Sequence, residues 1–99
     1  MIDFLKKVGI SEKTINEIYE QNEESVLYNL FCIQDECVKI ISYFKELGIT
    51  NIDELLLYEI NLFYLDFEDI VKKFSKFNIP AFVDLINNDF TAIENIYDV

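Results

Sequence analysis

The segment "LKKVGIS" at residues 5–11 recurs almost unchanged as "FKELGIT" at 44–50, and more loosely as "FSKFNIP" at 74–80. This phrase constrains the fold more than any other feature, because each copy has the chemistry of one helix ending and another beginning. Gly9, Gly48 and Asn78 suit the left-handed backbone that closes a helix. Lys45, Lys72, Lys73 and Lys76 fall in or near the last turns, where cations complement the carbonyl end of the helix dipole. The isoleucine after each stop (Ile10, Ile49, Ile79) is placed to plug the turn into a core.

Apolar spacing supports the same reading. After Ile49, apolar residues fall at offsets 3, 6 and 7 (Ile52, Leu55, Leu56), and the same offsets from Ile79 give Phe82, Leu85 and Ile86. After Ile10 the set comes two residues later, as Ile15, Ile18 and Tyr19. Each set is one face of a short helix. Longer stripes run through Ile33, Cys37, Ile40, Ile41, Phe44 and Leu47, and through Phe67, Ile70, Val71, Phe74 and Phe77. Start signals accompany the stops. Asn51 with Glu54 and Thr91 with Glu94 have capping-box spacing, Asp66 is placed to cap a helix from Phe67, and Pro80 fits a first helical position.

Together these signals predict helices near 2–8, 12–21, 24–31, 34–47, 52–59, 67–77, 80–87 and 92–97. The expected class is all-α: short helical hairpins stacked as a small repeat-like bundle of about 7–8 helices, filling one domain over residues 1–99. A single such unit cannot bury its own apolar face, so the copies are expected to share a core.

The stretch from about Ile41 to Asp89, "ELGITNIDELLLYEINLFYLDFEDIVKKFSKFNI" at its heart, resembles the helical repeats of mitochondrial transcription termination factors. The shared pattern is a helix closing in leucine-glycine-isoleucine, a short helix, a break and a longer helix. The resemblance implies a curved helical-repeat shape. Asn61 stands where that family usually has proline at the break. The arginines and basic groove by which the family holds duplex nucleic acid are missing, so its binding function does not carry over.

Composition excludes more than it identifies. The net charge is −11, from 19 acids against 8 bases, and every base is lysine. Without arginine there is no bidentate fork for phosphate or guanine, and without histidine there is no usual general base or imidazole ligand. The serines have nothing to activate them, and two glycines 39 residues apart cannot form a phosphate-cradling loop. Cys32 and Cys37 lie about 140° apart on a helix, a poor zinc pair that reads as reduced thiols in a cytoplasmic setting. No apolar run reaches the length of a membrane span, and the N-terminal stretch has no signal-peptide core. No catalytic residue, cofactor or metal site is expected. The lysine groups Lys6, Lys7, Lys13 and Lys72, Lys73, Lys76 are set among acids, which argues against direct nucleic-acid binding.

What remains points to partners. Fifteen aromatics, six of them tyrosine, are a heavy load for a core of this size. The run "LLLYEINLFYL" at 55–65 extends beyond the offsets a single buried face needs. The expected function is a non-enzymatic protein–protein interaction module, adaptor or inhibitor, that meets a protein partner or a second copy through an acidic, aromatic surface. The residues singled out are Tyr58, Leu62, Tyr64 and Tyr28, with acidic clusters at Asp66, Glu68, Asp69 and at Glu20, Glu23, Glu24. The alternative is an acidic decoy that mimics nucleic acid and occupies a basic nucleic-acid-binding protein. That reading requires acids spaced like phosphates along one face.

Overall fold

Two of the three recurrent turns are built identically. Gly9 (φ 87°, ψ 12°) and Gly48 (φ 93°, ψ 15°) both adopt the left-handed conformation. At each, the glycine N–H bonds to the carbonyl three residues back, Lys6 or Lys45, at 3.1 Å. The following isoleucine N–H reaches five residues back, to Leu5 at 3.1 Å or Phe44 at 3.0 Å. These are Schellman closures, and the apolar pairing that accompanies them is present, since Leu5, Ile10, Phe44 and Ile49 are all buried.

The third copy differs. Asn78 (φ −72°, ψ 103°) is not left-handed; it opens a helix instead, its side-chain oxygen accepting from the Ala81 N–H at 3.2 Å. Asparagine has a Cβ that penalises positive φ but also a side-chain acceptor that a helix start can use. Ile79 is accordingly only half-buried, and Pro80 sits within the first turn.

The computed structural model describes residues 1–99 and is all-helical, without strands. Six α-helices are present: α1 (Glu12–Gln21), α2 (Glu24–Cys32), α3 (Gln34–Leu47), α4 (Ile52–Tyr58), α5 (Phe67–Phe74) and α6 (Ile79–Asn88). Three 3₁₀ segments, Asp3–Val8, Ile60–Tyr64 and Phe90–Asp98, complete the chain. The short helices stack on α3, which packs against the first two 3₁₀ segments and against α2, α5 and α6. Its apolar stripe is the axis of the core: Cys37, Ile40, Ile41 and Phe44 are fully enclosed. Rings converge there, with Phe44 5.5 Å from Phe74 and 6.0 Å from Phe63, and Tyr43 edge-on to Phe67 at 5.8 Å. The radius of gyration, 12.9 Å, matches the roughly 13 Å of a compact 100-residue chain.

Polar clips hold the stacked turns together. Asp53 Oδ2 accepts from the Thr14 hydroxyl at 2.7 Å and the Ser11 hydroxyl at 3.2 Å, joining α1 to α4. Asn87 spans the α3–α4 turn, donating to the Gly48 carbonyl at 3.0 Å and accepting from the Thr50 N–H at 2.9 Å.

Several local expectations are corrected. Asn51 does not cap α4; its amide donates to the Ile86 carbonyl at 2.8 Å, and its Oδ1 is buried without a partner. The tertiary bond outcompetes the local cap. Asp66 makes no side-chain cap to α5. The final segment is capped by Asp89, which accepts from the Thr91 N–H at 3.0 Å, rather than by a Thr91–Glu94 box. The helix expected over 67–77 ends at Phe74, and Tyr19 and Leu85, placed on buried faces by spacing, are exposed. Residues 60–64, left without a helix by the sequence reading, form a 3₁₀ turn that carries Leu62 and Phe63 into the core.

Candidate docking groove

The most distinctive surface forms where α4 stops and the C-terminal 3₁₀ segment returns to it. Glu59 (φ −132°, ψ 40°) breaks α4, and the chain turns at once into Ile60–Tyr64. Phe90–Asp98 packs on α6 and brings its own side chains alongside. In 3₁₀ geometry residues three apart eclipse one another, so Glu94 and Tyr97 share a face. The result is a groove of about 440 Å³ lined by Glu59 and Glu94, by Tyr58 and Tyr97, and by the apolar Ile60 and Leu65. Tyr58 is 57% exposed and stacks on Phe90, ring centres 5.4 Å apart and 26° from parallel.

The electrostatics of this groove are unbalanced. Glu59 is held above the usual carboxylate range, first by burial, then by the charge of Glu94 and by a hydrogen bond between the two carboxyls. Tyr97 is pushed up by burial and by the charges of the same two glutamates. No lysine answers them. Neither residues 46–71 nor residues 77–99 contain a base, and the ion pairs of the molecule lie elsewhere, at Met1–Asp3, Lys6–Glu12 and Lys39–Glu36.

Only one of the four partner-contact residues expected from sequence lines this groove, Tyr58. Leu62 is fully buried and belongs to the core, which removes it as a contact residue. Tyr64 is half-buried, and its hydroxyl donates to the Val26 carbonyl, tying α2 to the Ile60–Tyr64 segment. That bond makes it a structural residue. Tyr28 is 56% exposed but lies on α2 beside Phe31, away from the groove lining. The acids Asp66, Glu68, Asp69 and Glu20, Glu23, Glu24 are all exposed, and no grouping of three acidic or thiol ligands capable of holding a metal occurs.

Lys72, Lys73 and Lys76 do gather around a second hollow, but Asp69 shares its wall, so the lysines there are not free of acids. The thiols are both free: Cys32 is exposed, and burial pushes Cys37 up to about 12, leaving it protonated and inert.

Glu59, Glu94 and Tyr97 were not singled out by sequence reasoning. Glu59 did carry a signal, as the sole charge within the apolar run 55–65. Glu94 and Tyr97 lie 35 and 38 residues further on, and no local pattern joins them to it. The aromatic load is largely absorbed: of fifteen rings, only Tyr19, Tyr28, Phe31, Tyr58 and Tyr97 are exposed, so two of the five flank one groove. No helix is long and apolar enough to cross a membrane. No family model matches the chain, and neither a curated protein nor a solved structure matches it.

Proposed function

We propose that this chain is a non-enzymatic protein-docking module whose contact face is centred on the groove between the end of α4 and the C-terminal 3₁₀ segment. The observation that carries this reading is the combination, at one concave site, of two exposed tyrosines with a carboxyl pair that has no internal cation. Exposed tyrosines contribute large contact area at small entropic cost and recur as interface hot spots. A stable protein interface needs about 800 Å² per partner, so the groove serves as its centre and the surrounding acidic surface as its rim.

The decoy reading requires a phosphate-like row of acids on one face. Acids lie on all six α-helices, a distribution that serves general steering of a basic partner.

The reading is tested by placing a photo-crosslinking amino acid at Tyr58, or at Lys13 on α1 as control, in the protein's native cells. A discrete protein adduct at position 58, absent at position 13 and diminished by Tyr97→Ala, is the expected result. Equal labelling at both positions, or none at either, rejects the docking face.

A further inference from the structure

Resting on that docking reading, we propose that the groove receives a single basic side chain, lysine or arginine, projecting from the partner protein. Its cation lies between Glu59 and Glu94, and its methylene stem runs along Tyr97 and Leu65.

Charge complementarity selects this occupant. Two carboxyls lining one concave surface repel one another once both ionise, and no lysine lines that surface to offset them. The charged and titratable groups facing the pair are Tyr58 from α4 and Tyr97 from the C-terminal segment, while Ile60–Tyr64 contributes none. All of these are neutral or acidic; no lysine lines the groove. A positive group must come from outside.

The lining then distinguishes an organic cation from a metal ion. Calcium takes six to eight oxygen ligands, and the two glutamates have no third acidic neighbour to complete such a set. A basic side chain instead uses everything present. Its charge meets two carboxylates, the neighbouring tyrosine rings attract a cation, and its stem lies along Tyr97 and Leu65.

Burial and the neighbouring Glu94 charge hold the Glu59 carboxyl up, which makes the site pH-sensitive. Below the raised Glu59 range that carboxyl holds its proton, and above it a second negative charge enters the groove. An incoming cation displaces the proton, so binding tightens as pH rises through that range.

The test uses the intact chain with glutamate carboxyl carbons labelled for NMR. The probes are an acetylated, amidated Ala-Arg-Ala tripeptide, its citrulline counterpart, which keeps the shape and lacks the charge, and putrescine. Saturable shifts of the Glu59 and Glu94 carboxyls and the Tyr97 ring are expected with the arginine peptide, with a dissociation constant on the order of millimolar. Citrulline should respond at least about threefold more weakly, as should Glu94→Gln with the arginine peptide, a factor within the strength of a partly exposed ion pair. Lowering the pH toward the ordinary glutamate range should weaken the wild-type response as Glu59, which burial holds up, takes a proton, and Glu59→Gln should lose that dependence.

Citrulline binding as well as arginine, or an undiminished response in Glu94→Gln, overturns the proposal. A putrescine response equal to that of the peptide assigns the site to free amines and overturns it too. Failure here is separable from failure of the docking face. A crosslinked partner at position 58 that persists in Glu59→Gln/Glu94→Gln leaves the docking reading standing and removes the basic side chain.

Discussion

The α3 axis and the groove end are made from similar side chains and finish in opposite states. Around α3, rings and aliphatic groups are met from several sides, and Phe44 touches Phe63, Phe74 and Tyr43 without any exposure of its own. At the groove end, Tyr58 finds a ring on one side only, Phe90, and leaves the rest of its surface to solvent. The charges differ in the same sense. Near α3 the polar groups are answered, as where Glu36 accepts from the Phe67 N–H at 3.3 Å and pairs with Lys39 at 3.2 Å. In the groove, Glu59 and Glu94 line one hollow with no lysine among their neighbours. One region meets its side chains within the chain, and the other leaves a ring face and two carboxyls toward solvent.

The largest expected effects test that contrast directly. Phe44→Ala should destabilise the fold by about 3–5 kcal/mol and Leu62→Ala by about 2–5 kcal/mol in urea unfolding, as enclosed side chains do when a cavity is left. Tyr58→Ala should cost well under about 1 kcal/mol, since its ring is mostly solvated. A Leu62→Ala cost as small as that of Tyr58→Ala would dissolve the distinction between core and contact residue.

A middle-sized effect separates the recurrent turns. Gly48→Ala should cost about 1–2 kcal/mol through left-handed strain alone, because a Cβ there meets only Val83, at 3.9 Å. Asn78→Gly should cost only a few tenths of a kcal/mol and Asn78→Ala about 1 kcal/mol, the pattern of a helix-start acceptor. If Asn78→Gly instead stabilised the protein clearly, the third turn would belong with the other two.

The smallest effect concerns the carboxyl pair. A folded-state value above the unfolded one favours the protonated form. That contribution to stability is therefore complete below the ordinary glutamate range and lost as pH rises through the raised Glu59 range. Glu94→Gln should match the wild type near pH 4 and exceed it by at most a few tenths of a kcal/mol near pH 7, the size left after solvent screening. Urea midpoints at the two pH values decide it, and a variant less stable at neutral pH would mean that the glutamates support rather than strain the fold.

Much of the architecture was legible because it is local. A glycine followed by a buried isoleucine needs only the preceding turn to close a helix, so both true copies of the phrase could be read from a few residues. Where a side chain had a choice, the sequence misled. Asn51 and Asn78 look alike as polar residues beside helices, but Asn51 is claimed by the Ile86 carbonyl across the core while Asn78 keeps its local bond. Leu62 has the same apolar character as any exposed contact residue. Its burial follows from the 3₁₀ turn at 60–64, whose tight period is not apparent in the run "LLLYEINLFYL".

The sequence by itself determined the helical class, the two glycine stops and the negative charge, since propensity, turn chemistry and ionisation act over a few residues. Only the tertiary structure decided which tyrosines remain in solvent and that Glu59 and Glu94 meet. Their encounter joins positions 35 residues apart through the docking of one helical segment on another, and no local interaction specifies such docking.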